Sequence, residues 1–465
     1  MQQSDATERV DRTDTRRTPV QTGVWRLHVL ATPDSRWLRA ILTLRGPYAQ
    51  GLLIGRVQNT QPSILLEDST LSRRHVTISL TGDGLLAVTD HGSSNGTFVD
   101  GQPVERDRQV AIGHGSVLRL GANVLVVERD FEERQDTGEP TAEVPGRSEK
   151  ARELRGMLAD AAGDLQPVLL HGETGTGKEY AAKALHVQSK RPGMLVRVNA
   201  AAIPESLFEA ELFGHVAGAY TGATGPRAGR IREAQAGTLV LDEIGELPVQ
   251  LQPKLLRVLE EKTLRPVGAA KDENVNVRFC ASTNADLEQH VHNGRFRRDL
   301  LARFRTHVIE LPPLRERRAD LLPLADELLP LTDHHGKPQS WSQVLHEETV
   351  EALLLYAWPE NLRELLATLV GLKRRIGQGP LGIAALPTAI RLRTTPAGPL
   401  DTVPGIRSSQ QLEAPDPATL RQVLTEERGV LENVARRYGR HRKQVYRWLD
   451  QAGIDQQELE KYRQL

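Results

Sequence analysis

The chain has 465 residues, 60 basic and 60 acidic side chains, and a single cysteine. This length exceeds one ordinary domain and favours about three, while the net charge of +0 excludes a general attraction to nucleic acid and leaves only local basic patches. The lone cysteine, Cys280, excludes an internal disulfide and lies in an apolar run that predicts a buried strand. We find neither an apolar run long enough to span a bilayer nor the core of a signal peptide, so we expect a cytoplasmic protein without a membrane segment.

The N-terminal part of the sequence predicts a tail followed by an all-β domain. Residues 1–22 are polar and charged, which is typical of disorder. In residues 23–130, short apolar runs are separated by turn residues, and this spacing predicts a β sandwich. The clearest runs are Ala40–Leu44, Leu52–Ile54, His75–Leu80, Leu85–Val88, Ser116–Leu120 and Val124–Val127. The polar segment 131–148 is expected to be a linker.

Three short motifs stand at or between the predicted strand ends: Gly55-Arg56, Ser72-Arg-Arg-His75 and Ser94-Asn-Gly-Thr97. If the strand ends lie together, these motifs bring an arginine, a hydroxyl, an amide and backbone N–H groups to one place, which suits a phosphate. In this order and spacing they resemble a forkhead-associated (FHA) domain, a reader of phosphothreonine peptides.

The FHA resemblance implies a role for each motif. The residues expected to bind the phosphopeptide are Arg56 and Ser72 at the phosphate, and Arg73, Ser94 and Asn95 at the loop or the peptide backbone. His75 is expected to be structural. The alternative is a degenerate FHA fold that serves only for dimerisation. A further hypothesis is that a phosphorylated tail docks on its own or a neighbour's domain; the threonines available are Thr13, Thr15, Thr18, Thr137 and Thr141.

Residues 149–378 are predicted to form one domain. Strand and helix patterns alternate up to Pro313, which is typical of an α/β nucleotide-binding domain, and the pattern from Leu314 to about Gln378 is helical with weak punctuation. The apolar run Val168–His171 leads into Gly172-Glu-Thr-Gly-Thr-Gly-Lys-Glu179, a phosphate-binding loop (P-loop). Its glycines allow backbone N–H groups to surround phosphate, and Lys178 adds a positive charge. Glu179 stands where a Mg²⁺-binding hydroxyl is usual.

A second element strengthens this interpretation. Thr238–Glu243 is an apolar run ending in two acids, a Walker B pattern. Asp242 is expected to hold Mg²⁺, and Glu243 to orient and deprotonate the water that attacks ATP. The alternative is a solvated acidic strand end.

The segment Gly218–Ala223, Gly-Ala-Tyr-Thr-Gly-Ala, has too little apolar area for a core and predicts an exposed loop tip. With the P-loop and the Walker B strand, it resembles the AAA+ domain of sigma-54 activators, the bacterial enhancer-binding proteins, from about Val144 to Ile376. In that family this loop engages sigma-54. The contact residues so implied are Gly218, Ala219, Tyr220, Thr221, Gly222 and Ala223.

The same resemblance implies the remaining nucleotide-site roles. The ATP-binding residues would be Gly172, Glu173, Thr174, Gly175, Thr176, Gly177, Lys178, Glu179, the sensor I pair Thr283 and Asn284, and Arg363 of sensor II. The catalytic set would be Asp242, Glu243, the restraining switch Asn199, and Arg297 and Arg303 as arginine fingers offered to a neighbouring subunit. For a single arginine the alternative is a solvated helix face.

Two positions depart from the family pattern. Tyr220 replaces the usual phenylalanine, which keeps the ring and adds a hydroxyl. Glu360 replaces a glycine, and would strain the turn if that position needs a positive φ.

The C-terminal segment 417–465 follows a Pro- and Gly-rich linker at 379–416 and is helical and charged. Val430–Tyr438, Gly439 and His441–Asp450 form a helix-turn-helix pattern, and no acid occurs from Arg436 to Arg447. It resembles the Fis-type module of sigma-54 activators. The DNA-binding residues implied are Arg440, Arg442, Lys443, Gln444 and Arg447. The alternative is a charged helical hairpin with no DNA role.

The whole sequence therefore predicts an N-terminal all-β FHA sandwich, a central α/β AAA+ domain with a helical lid, and a C-terminal all-α helix-turn-helix. The expected function is ATP-dependent activation of sigma-54 RNA polymerase by a homo-oligomer, from dimer to hexamer, bound to upstream enhancer DNA. The cofactors implied are ATP and Mg²⁺, and the further partner is a phosphothreonine protein or the chain's own tail. The alternatives are an AAA+ remodelling ATPase of another class and a phosphopeptide adaptor with an inactive ATP site.

Overall fold

The computed structural model describes residues 24–44, 51–56, 63–81, 85–130, 140–220, 224–377, 379–391 and 417–426, together with Leu431, Val434, Trp448, Leu449, Ala452 and Ile454. Several predictions concern residues outside these ranges. They are the tail 1–22, the docking threonines Thr13, Thr15, Thr18 and Thr137, the loop residues Thr221, Gly222 and Ala223, and the DNA-binding set Arg440, Arg442, Lys443, Gln444 and Arg447.

The N-terminal domain consists of two packed β sheets. Its strands are β1 Val24–Ala31, β2 Ile41–Leu44, β3 Leu52–Gly55, β4 Ser63–Leu65, β5 Val76–Leu80, β6 Leu86–Asp90, β7 Thr97–Val99, β8 Gln102–Pro103, β9 Gln109–Ile112, β10 Val117–Leu120 and β11 Asn123–Asp130. One sheet has the order β2-β1-β11-β10-β7-β8 and the other β4-β3-β5-β6-β9. The predicted sandwich is confirmed, and the six predicted runs coincide with β2, β3, β5, β6, β10 and β11.

The central domain begins with a helix capped by Ser148. Its elements are α1 Glu149–Ala162, β12 Val168–His171, α2 Lys178–Gln188, β13 Leu195–Asn199, α3 Glu205–Phe213, β14 Gly214–His215, β15 Arg227–Ala228, α4 Arg230–Glu233, β16 Thr238–Asp242, α5 Gln252–Glu261, β17 Thr263–Leu264, β18 Glu273–Asn274, β19 Arg278–Thr283, α6 Leu287–His292, α7 Arg298–Phe304 and β20 His307–Glu310. The helical lid follows as α8 Leu321–Leu328, β21 Leu331–Thr332, β22 Pro338–Gln339, α9 Trp341–Val344, α10 Glu347–Leu355, α11 Asn361–Lys373 and α12 Thr388–Arg391.

The core of the central domain is a parallel sheet of order β13-β16-β19-β12-β20. Strands β12, β16 and β19 are almost wholly buried, as expected for a sheet covered by helices on both faces. Cys280 is fully buried in β19, where burial raises the pKa of its thiol to about 12. The prediction that Cys280 is a core residue is confirmed. The carboxyl ends of β12 and β16 carry the P-loop and Asp242, so the topology places both motifs at one edge.

The sandwich packs against the lid through the outer face of β11. Leu125 and Val127 face the core of the sandwich, whereas Val124 and Val126 belong to the apolar core of the lid. All four side chains are at most 2% exposed. An antiparallel sheet in a sandwich usually turns polar side chains outward, so this strand is built to be covered on both sides.

The part of the predicted linker that the structure describes, residues 140–148, is packed rather than free. Asp320, which is fully buried, accepts hydrogen bonds from the backbone N–H groups of Arg147 (2.8 Å) and Ser148 (2.9 Å). Val144 is 3% exposed. The segment therefore fixes the start of α1 against the lid.

The C-terminal residues form a separate unit, Leu400–Leu465, in which α13 spans Pro417–Glu426. Its described apolar side chains form one cluster: Leu420, Val423, Leu424, Leu431, Val434, Trp448, Leu449 and Ile454. No helix within the described ranges is long and apolar enough to cross a membrane.

Candidate nucleotide and phosphopeptide sites

The P-loop connects β12 to α2 and has the backbone that its glycines predict. Gly175 (φ 77°) and Gly177 (φ 101°) adopt left-handed conformations, and α2 begins at Lys178. The Lys178 Nζ donates hydrogen bonds to the carbonyls of Gly172 (2.8 Å) and Glu173 (3.2 Å). The loop thus presents a helix N-terminus and an ammonium group to the same space, an arrangement suited to phosphate.

The two Walker B acids lie beside this lysine. Burial lowers the pKa of Lys178, while the charges of Glu243 and Asp242 oppose that shift and the charge of Arg363 adds to it. These four side chains therefore belong to one electrostatic group. Glu243 has a left-handed backbone (φ 52°) directly after β16, a conformation unusual for a residue with a side chain and frequent at functional sites.

The acids suit a hard divalent cation such as Mg²⁺. Asp242 Oδ1 accepts a hydrogen bond from Ser282 Oγ (2.6 Å), which orients the carboxylate and leaves the second oxygen for a ligand. Glu179, in place of the usual hydroxyl, pairs with Arg197 at 2.7 Å. Oxygen donors beside a phosphate loop fit the expected Mg²⁺, with Asp242 as the residue that would hold it.

Three other predicted residues have different surroundings. Asn284 Nδ2 donates to Thr174 Oγ1 (3.0 Å) and so contacts the P-loop. Thr283 is fully buried, and its hydroxyl accepts from the Ala285 N–H (3.0 Å). Asn199 accepts from the Ala201 N–H (2.9 Å), and the described residues include no hydrogen bond between Asn199 and Glu243. Ser282, which sequence reasoning missed, is the residue on β19 that touches Asp242.

An apolar cleft adjoins the P-loop. It has an empty volume of about 440 Å³, counting its open mouth, and is lined by Thr176 and Gly177 on one side and by Val144, Tyr180, Leu328 and Leu362 among others. Its apolar lining suits a flat ring beside the phosphate loop, as a nucleobase would be.

In the sandwich, the three predicted motifs do meet at one end. The Arg56 N–H donates to Ser72 O (3.2 Å), the Ser94 N–H donates to Ser72 Oγ (3.0 Å), and Asn95 Nδ2 donates to Thr70 O (2.7 Å). The resulting cleft is lined by Arg56, Arg73 and Arg74 with hydroxyl and amide groups, and no acid. Its charge and its hydrogen-bond donors therefore suit an anion.

His75 holds the two loops of this cleft together from below. It is fully buried, its Nδ1 accepts from the Ser72 N–H (3.1 Å), and its Nε2 lies 3.1 Å from Gly96 O, to which it donates as the neutral tautomer. Burial lowers the pKa of His75. Asp90, not singled out from the sequence, accepts from the N–H groups of Gly92 and Ser93 and from the hydroxyl of Thr97.

Residues 52–121 match the family described as FHA domain, and residues 144–310 match the family described as Sigma-54 interaction domain. The chain carries both domains.

The chain is 42% identical over 275 residues to the nitric oxide reductase transcription regulator NorR1 of Cupriavidus necator, covering 58% of this chain and 53% of the relative. It is 47% identical over 229 residues to NorR2 of the same organism, covering 49% and 44%. Against the regulatory protein AtoC of Escherichia coli it is 38% identical over 294 residues, covering 62% and 63%. The chain thus matches about half of the length of NorR1 and NorR2.

In the sigma-54 interaction domain, Glu360 does not carry the strain that its departure from glycine suggested. Its φ is −101° and its ψ 15°, whereas the left-handed residues of this turn are Trp358 (φ 50°) and Asn361 (φ 52°). Arg363 follows in the first turn of α11, next to Gly175. Because Glu360 has a negative φ, this position does not require glycine. Of the two left-handed residues, Asn361 is of a type that tolerates this region well.

The two candidate arginine fingers are exposed on the sigma-54 interaction domain. Arg297 pairs with Asp299 at 2.7 Å, and Arg303 pairs with Glu260. Neither contacts a P-loop residue in the described part of the chain. Both remain accessible to a neighbouring molecule.

The described half of the Gly218–Ala223 loop is anchored at its base and exposed at Tyr220. The Val216 N–H donates to Val267 O (3.1 Å), and Gly218 has a left-handed backbone (φ 75°). The Tyr220 side chain is 43% exposed and its ring lies edge-on to His215, with centroids 5.0 Å apart. Tyr220 therefore offers one face to the protein and another to solvent.

Proposed function

We propose that this protein activates transcription by sigma-54 RNA polymerase, using ATP hydrolysis in its central domain to remodel the polymerase bound at a promoter. The observation that carries the proposal is that Lys178, Asp242 and Glu243 form one electrostatic group on the domain that also exposes the Gly218–Tyr220 loop. A site for phosphoryl transfer and a partner-facing loop then belong to one domain, the loop between β14 and β15 and the site at the edge of the parallel sheet. The match to a sigma-54 interaction domain supports this assignment.

In the proposed reaction the P-loop and Lys178 bind the phosphates of ATP. Glu243 orients the attacking water and takes its proton, and Arg363 adds positive charge beside the phosphates. Mg²⁺, when bound at Asp242, would neutralise the charge of the phosphate oxygens. The cleft around Val144 and Tyr180 holds the base.

Arg297 and Arg303 are proposed to act across a subunit boundary. Both guanidinium groups are exposed and, among the described residues, are paired only with acids of their own surface, and such exposed pairs exchange partners at little cost. A finger from a neighbour makes hydrolysis depend on assembly. We therefore propose a ring, of six subunits by the family resemblance, as the active form.

The FHA domain is proposed to supply the signal by binding a phosphothreonine peptide at Arg56, Ser72 and Asn95. The outer face of its β11 is buried against the lid, and the lid contributes Arg363 to the nucleotide site. A change in the packing of the FHA domain against the lid would therefore alter the position of Arg363 at the ATP site. Residues 417–465 are proposed to bind upstream DNA, with the basic residues Arg440 to Arg447 as the contact.

The test is open-complex formation by sigma-54 polymerase on a supercoiled promoter, with ATPase activity measured in parallel. We expect Tyr220→Ala to lose activation while retaining ATP hydrolysis, and Tyr220→Phe to retain both. Normal activation by Tyr220→Ala refutes the role of the loop. Remodelling of another substrate, with no dependence on sigma-54, would favour an AAA+ machine of a different class.

A further inference from the structure

The turn between α10 and α11 lies directly against the P-loop. The Leu362 N–H donates to Gly175 O at 2.9 Å. A Cβ placed on Gly175 would come within 2.2 Å of Glu360 O. The two backbones are therefore in contact, and only glycine fits at position 175. This contact brings the lid to the phosphate-binding backbone itself.

Asn361 is the central side chain of this contact. It is fully buried, and its Oδ1 accepts from the Leu314 N–H (2.8 Å). Its Nδ2 donates to Thr174 O (3.0 Å) and to Glu173 Oε2 (3.2 Å). These partners fix the orientation of the amide, because the flipped group would set its oxygen against two acceptors.

The bond to Thr174 determines where the next N–H group points. The described chain contains no cis peptide, and in a trans peptide the C=O and N–H point in opposite directions. When Asn361 holds the Thr174 carbonyl, the Gly175 N–H is turned away from the lid. This N–H meets no acceptor among the described residues, which leaves it available to a phosphate oxygen.

Glu173 is also held by Arg315, in the segment that leads from β20 into the lid. Arg315 donates two hydrogen bonds to its carboxylate, at 2.8 and 2.6 Å. The hydrogen bond from Arg315 lowers the pKa of Glu173, so the carboxylate stays ionised and remains an acceptor for Asn361. Leu314 and Arg315 are adjacent, so Asn361 and Arg315 form one cross-link between the lid and the first half of the P-loop.

We infer that Asn361 is a positioning residue of the nucleotide site. It holds the Thr174–Gly175 peptide in the orientation that phosphate binding requires, without touching the nucleotide itself. Arg315 assists by fixing Glu173. This role rests on the proposed binding of ATP at the P-loop.

Two substitutions of Asn361 distinguish the contribution of its side-chain amide from that of its left-handed backbone. Asn361→Gly accepts the left-handed backbone and removes the side chain. Asn361→Asp also accepts that backbone but sets a carboxylate against Thr174 O and Glu173. In the full chain we expect the affinity for a fluorescent ATP analogue to fall about tenfold with Gly and further with Asp, since Gly loses the two hydrogen bonds to the P-loop and Asp opposes them. KM should rise while kcat changes less than about threefold.

A third variant tests the proposal even if the Asn361 variants fail to fold. Arg315 is 39% exposed, so Arg315→Ala is a surface change that releases Glu173, and we expect a smaller loss of affinity in the same direction. Unchanged affinity in the folded variants overturns the positioning role, as does a fall in kcat at constant KM. Failure of the wild-type chain to bind ATP would instead refute the proposed nucleotide site.

Discussion

The Nε of Arg119 lies 2.7 Å from the carboxylate of Glu351, and this ion pair joins the FHA domain to the lid. The two side chains are only 12% and 8% exposed. Burial raises the pKa of Glu351, although Arg119 favours its ionised form. Loss of either partner would therefore leave the charge of the other buried and poorly solvated.

Reversing the charge of Arg119 should loosen the FHA domain from the lid. We expect Arg119→Glu to destabilise the chain by about 3 kcal/mol, because removal of one partner from a buried pair costs this much, and Arg119→Glu with Glu351→Arg to recover part of it. Thermal unfolding and protease sensitivity of residues 131–148 measure the effect. The control is Arg108→Glu at the exposed pair Arg108–Glu105, for which we expect little change; an equal effect there contradicts the prediction.

The FHA domain should lose stability as the pH falls below about 6.5, the ordinary pKa of histidine. Burial lowers the pKa of His75 in the folded chain, so below that pH the unfolded chain binds the proton first, and the stabilisation present at higher pH is lost. We compare the wild type with His75→Gln, which does not titrate at this position. Their difference in free energy of unfolding should shrink from pH 7.5 to 5.5. A difference independent of pH argues against a neutral His75.

Addition of one methyl group at Gly55 should strongly weaken phosphopeptide binding. A Cβ there would lie 2.3 Å from Arg73 O, which forces apart the two loops that place Arg56 beside Ser72. We expect Gly55→Ala to weaken binding of a phosphothreonine peptide at least tenfold, measured by calorimetry on the full chain. Gly113→Ala is the matched control, since a Cβ at Gly113 meets nothing within 4 Å. Equal affinities of the two variants would be evidence against this site.

Glu243→Gln should bind ATP and fail to hydrolyse it. The amide keeps the shape of the side chain but cannot accept the proton of water, and loss of a general base costs about 10²–10⁴ in rate. Steady-state hydrolysis and binding of a fluorescent ATP analogue separate the two effects. Glu246→Gln, three residues further on and exposed, should behave as the wild type. Residual turnover near the wild-type rate removes Glu243 from the proposed role.

The sequence predicted the elements whose signal is local. The P-loop strand, Asp242 at the end of β16 and six sandwich strands follow from apolar periodicity and glycine placement, which act over a few residues. The short strands β7 to β9 gave no such signal, because two to four residues among turn residues are too few for a period. Cys280 was assigned to the core for the same local reason.

Contacts between distant segments were not predictable in this way. Asn361 gains its role only when the lid returns to the P-loop, 187 residues away along the chain. The docking of the FHA domain on the lid was also missed. The only sign of this docking in the sequence was the unbroken apolar run Val124–Val127. A strand with one face in solvent would instead alternate apolar and polar residues.

Strand β11 contributes to two hydrophobic cores at once, and this has a practical consequence. A fragment that ends at Asp130 would leave Val117, Val124 and Val126 uncovered along one face, together with the unpaired Arg119. Such a face favours association of isolated domains. For the same reason, exchanging this FHA domain for another sensory module requires a matching apolar face, or a redesigned lid, for the chimera to stay soluble.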